Sequence, residues 1–385
     1  MMAMMFATIA FSVDAMLPVL PDIATDLKLS DPQQAPLILT LFLVGLGVGT
    51  FFAGPLSDRF GRKNLVYGGL AIYVLGAVIA WATETIEWML FGRLVQGLGA
   101  AGPRIVSLAI IRDLFSGRDM ARIMSLAMMI FLIFPAIAPA IGALIADAFH
   151  WRLIFAAFVM FALILIIWFG LRLKETLPED KRRPLRLRSI GAAVAEMLGH
   201  RIVRLSIFAQ TMMLATLFGV LTMVEPIFSE TFQRPESFPY WFGAIALASG
   251  FSSLANAALV GRFGMRKLVT LALVAQLIIS SSALILLWEP SSIAFPVYIF
   301  WQFGVLFQAG MTVANLNAIA MQPMGHIAGI AASVIGAIST VMGAVIASPL
   351  AMLFDGTPRP LIAAVLMMTL ISTILMHRMR QLELA

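Results

Sequence analysis

Four ionisable side chains stand inside long apolar stretches of this 385-residue chain: Asp14, Arg93, Arg104 and Glu225. A charge at the centre of a bilayer costs about 2.5–3.5 kcal/mol on insertion scales, so each of the four needs a partner or a role. An acid beside a base in such surroundings can exchange protons, because the proton affinity of the carboxyl changes when the two separate. Asp14 lies about 20 Å along the first apolar run as a helix, and Arg93 about 9 Å along the fourth, which runs the opposite way. Those depths sum to about the 30 Å of a hydrocarbon core, which puts the two groups at one level. Coupling of proton uptake to conformation is the chemistry this pair offers; a static ion pair joining two helices is the other reading. Arg104, about 24 Å along the same run, either meets an anionic substrate or a carboxylate, or extends its head to the inner interface. Glu225 lies about 33 Å along the seventh run. That depth is the outer interface, unless the helix tilts or breaks at Pro226 and turns the carboxylate toward a cavity.

A second group of charges, in "AGPLSDRFGRKN" at 53–64, follows directly on the charge-free residues 36–52. A carboxylate at a helix end, here Asp58, interacts with the positive end of a facing helix by about 0.3–1 kcal/mol, up to about 2 when partly buried. Arg62 and Asp113 are placed to extend it into a network. Retention of Arg59, Arg62 and Lys63 on the cytoplasmic side accounts for the basic residues alone, but requires neither the Asp nor the paired Gly54 and Gly61. A third pattern, Pro135, Pro139 and Gly142 at i, i+4 and i+7, occupies one helical face. Proline removes backbone donors and bends a helix, while glycine permits close approach, so the face is a bendable packing seam or a plain kink.

The elements that carry these residues follow from composition. With 61% hydrophobic and 12% charged residues, against about a quarter charged in soluble domains, the chain is an all-α integral membrane protein. Apolar segments long enough to span recur twelve times, at 2–21, 34–53, 65–83, 88–111, 123–146 and 151–171, then 203–224, 240–260, 268–287, 292–314, 327–350 and 360–377. A polar, basic linker, 172–202, ends in a short amphipathic stretch with Ile190, Val194, Met197 and Leu198 on one face. It separates two six-helix bundles, 1–171 and 203–385. Of 26 lysines and arginines, 20 fall in, or within two residues of, connections after even-numbered spans or at the C-terminus, and four (Lys28, Arg152, Arg234 and Arg359) in or beside the others. Both termini are therefore expected in the cytoplasm. "RFGRK" at 59–63 and "RFGMRK" at 262–267 follow the second and eighth spans, an echo that favours a duplicated bundle.

The stretch at 54–63, through Gly54, Leu56, Asp58, Arg59, Gly61, Arg62 and Lys63, resembles the loop signature of the major facilitator superfamily. "RLVQGLGAAG" with Arg93, Gln96, Gly97 and Gly99, "APAIGA" in the fifth span, and "HWRLIF" and "KETLP" at the ends of the sixth are similar to its drug:proton antiporter branch. "VDAMLPVLPDIA", "GPLSDRFGRK" and "IIRDLF" together are most similar to Bcr/CflA-type exporters. The resemblance implies a major facilitator fold working by alternating access. It also implies a cytoplasmic latch built on Gly54, Asp58, Arg59, Gly61, Arg62 and Asp113, with Asp58 meeting the start of the eleventh span. Departures are Ala138 for a glycine in the fifth-helix motif, Met16 where an aromatic residue is usual, and Thr50 where Gln is. Arg104 and Glu225 stand where small residues are expected, so Met16, Gln96, Arg104 and Glu225 are the candidates for a substrate cavity.

The function expected is export of small amphiphilic compounds in exchange for protons across a bacterial inner membrane, by a monomer. Proton-coupled import or export of one specific metabolite is the alternative. No nucleotide-binding G-x-x-x-x-G-K-[ST] pattern is present, so the proton gradient, with no cofactor, is the expected driver. H-E-x-x-H and G-x-S-x-G are absent, which argues against an embedded enzyme. Cysteine is absent and the four histidines are scattered, so no metal site is expected. The basic residues sit between apolar runs and form no nucleic-acid face.

Overall fold

Every apolar run expected to cross the bilayer is helical in the computed structural model, which describes residues 1–115, 117–182 and 187–384. In chain order the helices are α1 (Met2–Asp14), α2 (Leu20–Asp26), α3 (Leu37–Phe60), α4 (Arg62–Ala82), α5 (Ile86–Leu114), α6 (Gly117–Ala148) and α7 (Arg152–Arg172). They continue as α8 (Leu187–Gly199), α9 (Arg201–Pro226), α10 (Phe238–Phe263), α11 (Met265–Leu286), α12 (Ala294–Met321), α13 (Ala328–Ala347) and α14 (Arg359–Leu384). Helices α1 and α2 together form the first span, Met2–Asp26. Eleven spans are long and apolar enough by their described residues, and α6, the fifth, contributes the described apolar stretch Ile133–Ala148.

The chain folds as two compact units, Met1–Ile190 and Gly191–Ala385, with six spans in each. The linker run 183–186 lies outside the described residues. The amphipathic helix α8 forms, with Ala193 and Met197 buried and Leu198 exposed, so its inner face is rotated from the one expected; the side chain of Ile190 lies outside the described residues.

Within each unit the pairing of helices repeats. The fourth span packs on the second and third (α5 on α3 and α4), the first on the fifth (α1 on α6), and the third on the sixth (α4 on α7). In the other unit the tenth packs on the eighth and ninth (α12 on α10 and α11), the seventh on the eleventh (α9 on α13), and the ninth on the twelfth (α11 on α14). The echo of "RFG" turns is thus part of a structural duplication. At both turns the glycine ends one helix and precedes the next in a backbone conformation open only to glycine, φ 93° at Gly61 and φ 78° at Gly264.

Lipid explains why the helices are apolar on both faces. On α7, Phe155, Phe158, Ala162, Leu165 and Phe169 are buried at helical spacing, while Met160, Ile164, Ile167 and Leu171 are exposed. A helix hydrophobic all round is a buried or bilayer-facing one. Without a hydrophobic force between helices, small residues set their approach. At Gly97 of α5 a Cβ would stand 2.0 Å from the Phe42 carbonyl oxygen of α3.

Candidate functional site

The first span breaks one residue after Asp14, and Pro18 is the local cause. Its ring has no N–H for the Asp14 carbonyl and crowds it, so α1 ends at Asp14 and a short 3₁₀ turn, Leu17–Val19, follows. At the break the Met16 amide bonds to the Val13 carbonyl at 3.2 Å rather than to that of Ser12. The Ser12 carbonyl is thereby released from the helical ladder, and Arg93 Nη2 donates to it at 2.8 Å.

Arg93 is fully buried and joins three spans. Besides Ser12 of α1, it donates through Nε to the Ile38 carbonyl of α3 at 3.2 Å and through Nη1 to Gln96 Oε1 at 2.6 Å. Its guanidinium lies 4.5 Å from the centre of the Phe42 ring. Ser12 Oγ and the Tyr73 hydroxyl of α4 share a 2.6 Å hydrogen bond beside it, either oxygen being able to donate. The expected Asp14–Arg93 ion pair is therefore not made: the guanidinium reaches the right helix and level but takes backbone carbonyls. Asp14 is buried, 5% exposed, with no ion pair among the described residues. Depth along a helix was readable from the sequence, whereas the direction each side chain faces was not. Ser12, Ile38, Phe42 and Tyr73 were missed, and Pro18, four residues past Asp14, was the available signal for freed carbonyls.

The fifth-span motif meets the first span beside Asp14. A Cβ on Gly142 would stand 2.0 Å from the Ala15 carbonyl oxygen, so α6 touches the first span at the residue after Asp14. Pro135 and Pro139 lie on α6 without interrupting it, Pro139 buried and Pro135 half-buried. Met16, at the break itself, is fully buried, as is Gln96, which the Arg93 bond occupies. Arg104 is half-buried on α5, with no ion pair among the described residues. In the second unit Glu225 is 5% exposed. Helix α9 does not break at Pro226 but passes into a π turn, Ile227–Thr231, with Ser229 Oγ donating to the Glu225 carbonyl at 3.1 Å. The span is thus longer than the sequence suggested, and Glu225 is enclosed rather than at its exposed end.

At the end of the first unit formed by the α3–α4 turn, Arg62 donates to Asp58 Oδ1 at 2.6 Å, Ser57 Oγ at 2.6 Å and Asp113 Oδ2 at 3.1 Å. Two residues of "KETLP" that sequence reasoning gave no role complete this clasp. Thr176 Oγ1 donates to Asp113 at 3.0 Å, and Glu175 accepts from the backbone N–H groups of Arg62 and Lys63, each at 3.0 Å. Gly61 precedes α4 and has no side chain to cap it, so Glu175 caps the first turn from 113 residues away in sequence. Lys63 Nζ answers by donating to the Gly170 and Leu173 carbonyls at the end of α7. Burial would push the Glu175 carboxyl up, but backbone hydrogen bonds from Leu177, Lys63, Arg62 and Thr176 together hold it below the ordinary glutamate range. Gly54 sits in α3 one turn before Asp58, and Arg59 is exposed with its guanidinium 5.1 Å from the Phe60 ring.

At the opposite end of the unit "HWR" fastens the first span. Arg152 Nη1 pairs with Asp26 Oδ2, Trp151 Nε1 donates to the same oxygen at 3.2 Å, and Arg152 Nη2 donates to the Thr83 carbonyl at 2.9 Å. The two motifs flanking the sixth span are thus staples at its two ends. Among the described residues no three or more His, Asp or Glu side chains gather as metal ligands would.

Six apolar spans per unit in a duplicated arrangement, with buried charged and polar side chains between the helices, define a polytopic membrane protein. The family model described as Major Facilitator Superfamily matches residues 2–348, and the chain belongs to that superfamily. It is a transporter of small molecules rather than an enzyme. It is 30% identical over 357 residues to the "Bicyclomycin resistance protein homolog" of Haemophilus influenzae, covering 91% of this chain and 88% of that protein. It is 28% identical over 326 residues to "Multidrug resistance protein MdtL" of Escherichia coli, covering 84% and 80%. In fold it is similar to the crystal structure of a D-xylose-proton symporter, with a TM-score of 0.76 and 13% identity over 98% of this chain and 95% of that one.

Proposed function

We propose that the protein exports small amphiphilic organic compounds from the bacterial cytoplasm in exchange for protons, as a monomer in the inner membrane with both termini inside. The observation that carries this reading is the buried Asp14 carboxyl, placed at the break of the first span and with no ion pair among the described residues. Ionising such a group inside a bilayer is costly, so its proton occupancy follows its surroundings. Those surroundings are set by neighbours on either side. Arg93 holds the Ser12 carbonyl two residues before it, and Gly142 abuts Ala15 one residue after it. A shift of α6 along α1 at the Gly142–Ala15 contact changes what faces the carboxyl, which ties proton uptake or release to helix position. The proton gradient then drives the cycle without a bound cofactor. Similarity over most of its length to proteins named for bicyclomycin and multidrug resistance supports export of drug-like molecules. The partition of basic residues supports the orientation.

The test is transport by purified protein in proteoliposomes with an imposed pH gradient, using a compound found by thermal-shift screening of amphenicols, quinolones and lipophilic cations. Asp14→Asn is expected to abolish uphill flux while the melting-temperature shift with that compound persists. A variant that still concentrates the compound with proton flux intact places the coupling group elsewhere, and Glu225→Gln is then the next variant to measure.

A further inference from the structure

We propose that a groove between the beginning of α9 and the end of α14 binds a phosphate-bearing anion, the headgroup of an acidic phospholipid. The groove encloses about 460 Å³ and is lined by Arg201, Arg204, Leu205, Arg378, Gln381 and Leu382. Three arginines from two helices thus line one space, and none of them has an ion pair among the described residues. Retention of basic residues at one membrane side places arginines near helix ends, but it does not converge them without a carboxylate. Their planar forks match phosphate oxygens, and basic pockets between transmembrane helices bind acidic headgroups.

The flanks of the groove favour a lipid over a free anion. On α9, Phe208 follows Arg201 and Arg204 on the same face and is exposed. On α14, Ile371 and Ile374 precede Arg378 on the same face and are exposed as well. Two helical faces therefore run from arginine at the end to bare apolar surface toward the middle of the span, the arrangement of a headgroup and its acyl chains. The helices are held in register by Ser206 Oγ, which donates to Met379 Sδ at 3.3 Å, and by the packing of Ala209 and Met213 with Met376 and Met379.

Purified full-length protein in neutral detergent is titrated with cardiolipin in mixed micelles and, separately, with inorganic phosphate. Bound lipid is counted by native mass spectrometry and stabilisation is read from the melting temperature. At about fivefold per arginine, R201Q/R378Q is expected to weaken cardiolipin binding roughly thirtyfold. R262Q/K267Q removes the same charge from the α10–α11 turn of the same unit and is expected to leave binding within about twofold of wild type. Equal losses in the two variants, or none in either, overturn the proposal. Saturable phosphate binding that R201Q/R378Q abolishes, without cardiolipin binding, overturns the headgroup assignment in favour of a free anion. Should the double variant not fold, R204Q alone is expected to weaken cardiolipin binding about fivefold, and an unchanged affinity there overturns the site.

Discussion

Gly61 and Gly264 occupy the same place in the two halves and adopt nearly the same backbone, yet their surroundings differ. The arginine and phenylalanine before each glycine also match, with Arg59 5.1 Å from the Phe60 ring and Arg262 5.4 Å from the Phe263 ring. A Cβ on Gly61 would stand 2.6 Å from Glu175 Oε2, whereas a Cβ on Gly264 would meet nothing within 4 Å. Past the turn, Lys63 bonds the carbonyls that end α7, while Lys267 lies over the Phe263 ring at 5.3 Å. The shared words of sequence fix the turn. Whether the turn becomes a charge network depends on side chains from elsewhere, such as the Asp113 and Glu175 carboxylates that reach it in the first half.

The sharpest way to break the comparison is at the equivalent pair of first-on-fifth and seventh-on-eleventh contacts. Gly142→Ala puts a methyl group into the Ala15 carbonyl, while at Gly343 a Cβ would sit 3.0 Å from Leu214 Cβ and 3.2 Å from the Ala215 amide. Gly142→Ala is expected to destabilise by about 3 kcal/mol or more and to stop transport, because two backbones must separate. Gly343→Ala is expected to be near neutral, the small overlap being offset by up to about 1 kcal/mol of helix propensity. Thermal unfolding and proteoliposome flux, measured side by side, decide; similar losses in both would mean that the two contacts are equally tight.

At the turns themselves, alanine at either glycine meets backbone strain of about 1–3 kcal/mol. Gly61→Ala is expected to lower the melting temperature further than Gly264→Ala, since it also displaces the Glu175 cap. Equal shifts would show that the clasp adds nothing to the turn.

The smallest effect isolates the clasp. Glu175→Gln is expected to cost about 1 kcal/mol at neutral pH, the scale of a lost N-cap acceptor. Because the folded-state carboxyl is held below its ordinary range, the stability it adds is fully present above the unfolded value of about 4.3. It is lost as pH falls through the lower folded value. Melting curves of wild type and variant should therefore run parallel from neutral pH down to about 5 and converge only in stronger acid. Convergence already near pH 6 would contradict the capping geometry.

The twelve spans, the six-plus-six division and the glycine turns were legible because hydropathy and glycine act locally: 1.5 Å per residue sets depth, and a left-handed backbone needs glycine. Arg62 stands four residues from Asp58 across the Gly61 turn, so that pair was equally readable, and Asp113 followed from its place at the end of the fourth span. Tertiary structure decided the rest. Depth does not fix which way a side chain points around its helix axis, so Arg93 arrived at the level of Asp14 and bonded Ser12 and Ile38 carbonyls instead. Glu175 and Thr176 looked like linker residues until α7 returned them to the start of α4. The enclosure of Glu225 depended on α9 continuing through its proline. These contacts join residues tens of positions apart, and the rotation that lets them meet comes from small-residue packing such as Gly142 on Ala15, a property of two helices together rather than of either sequence alone.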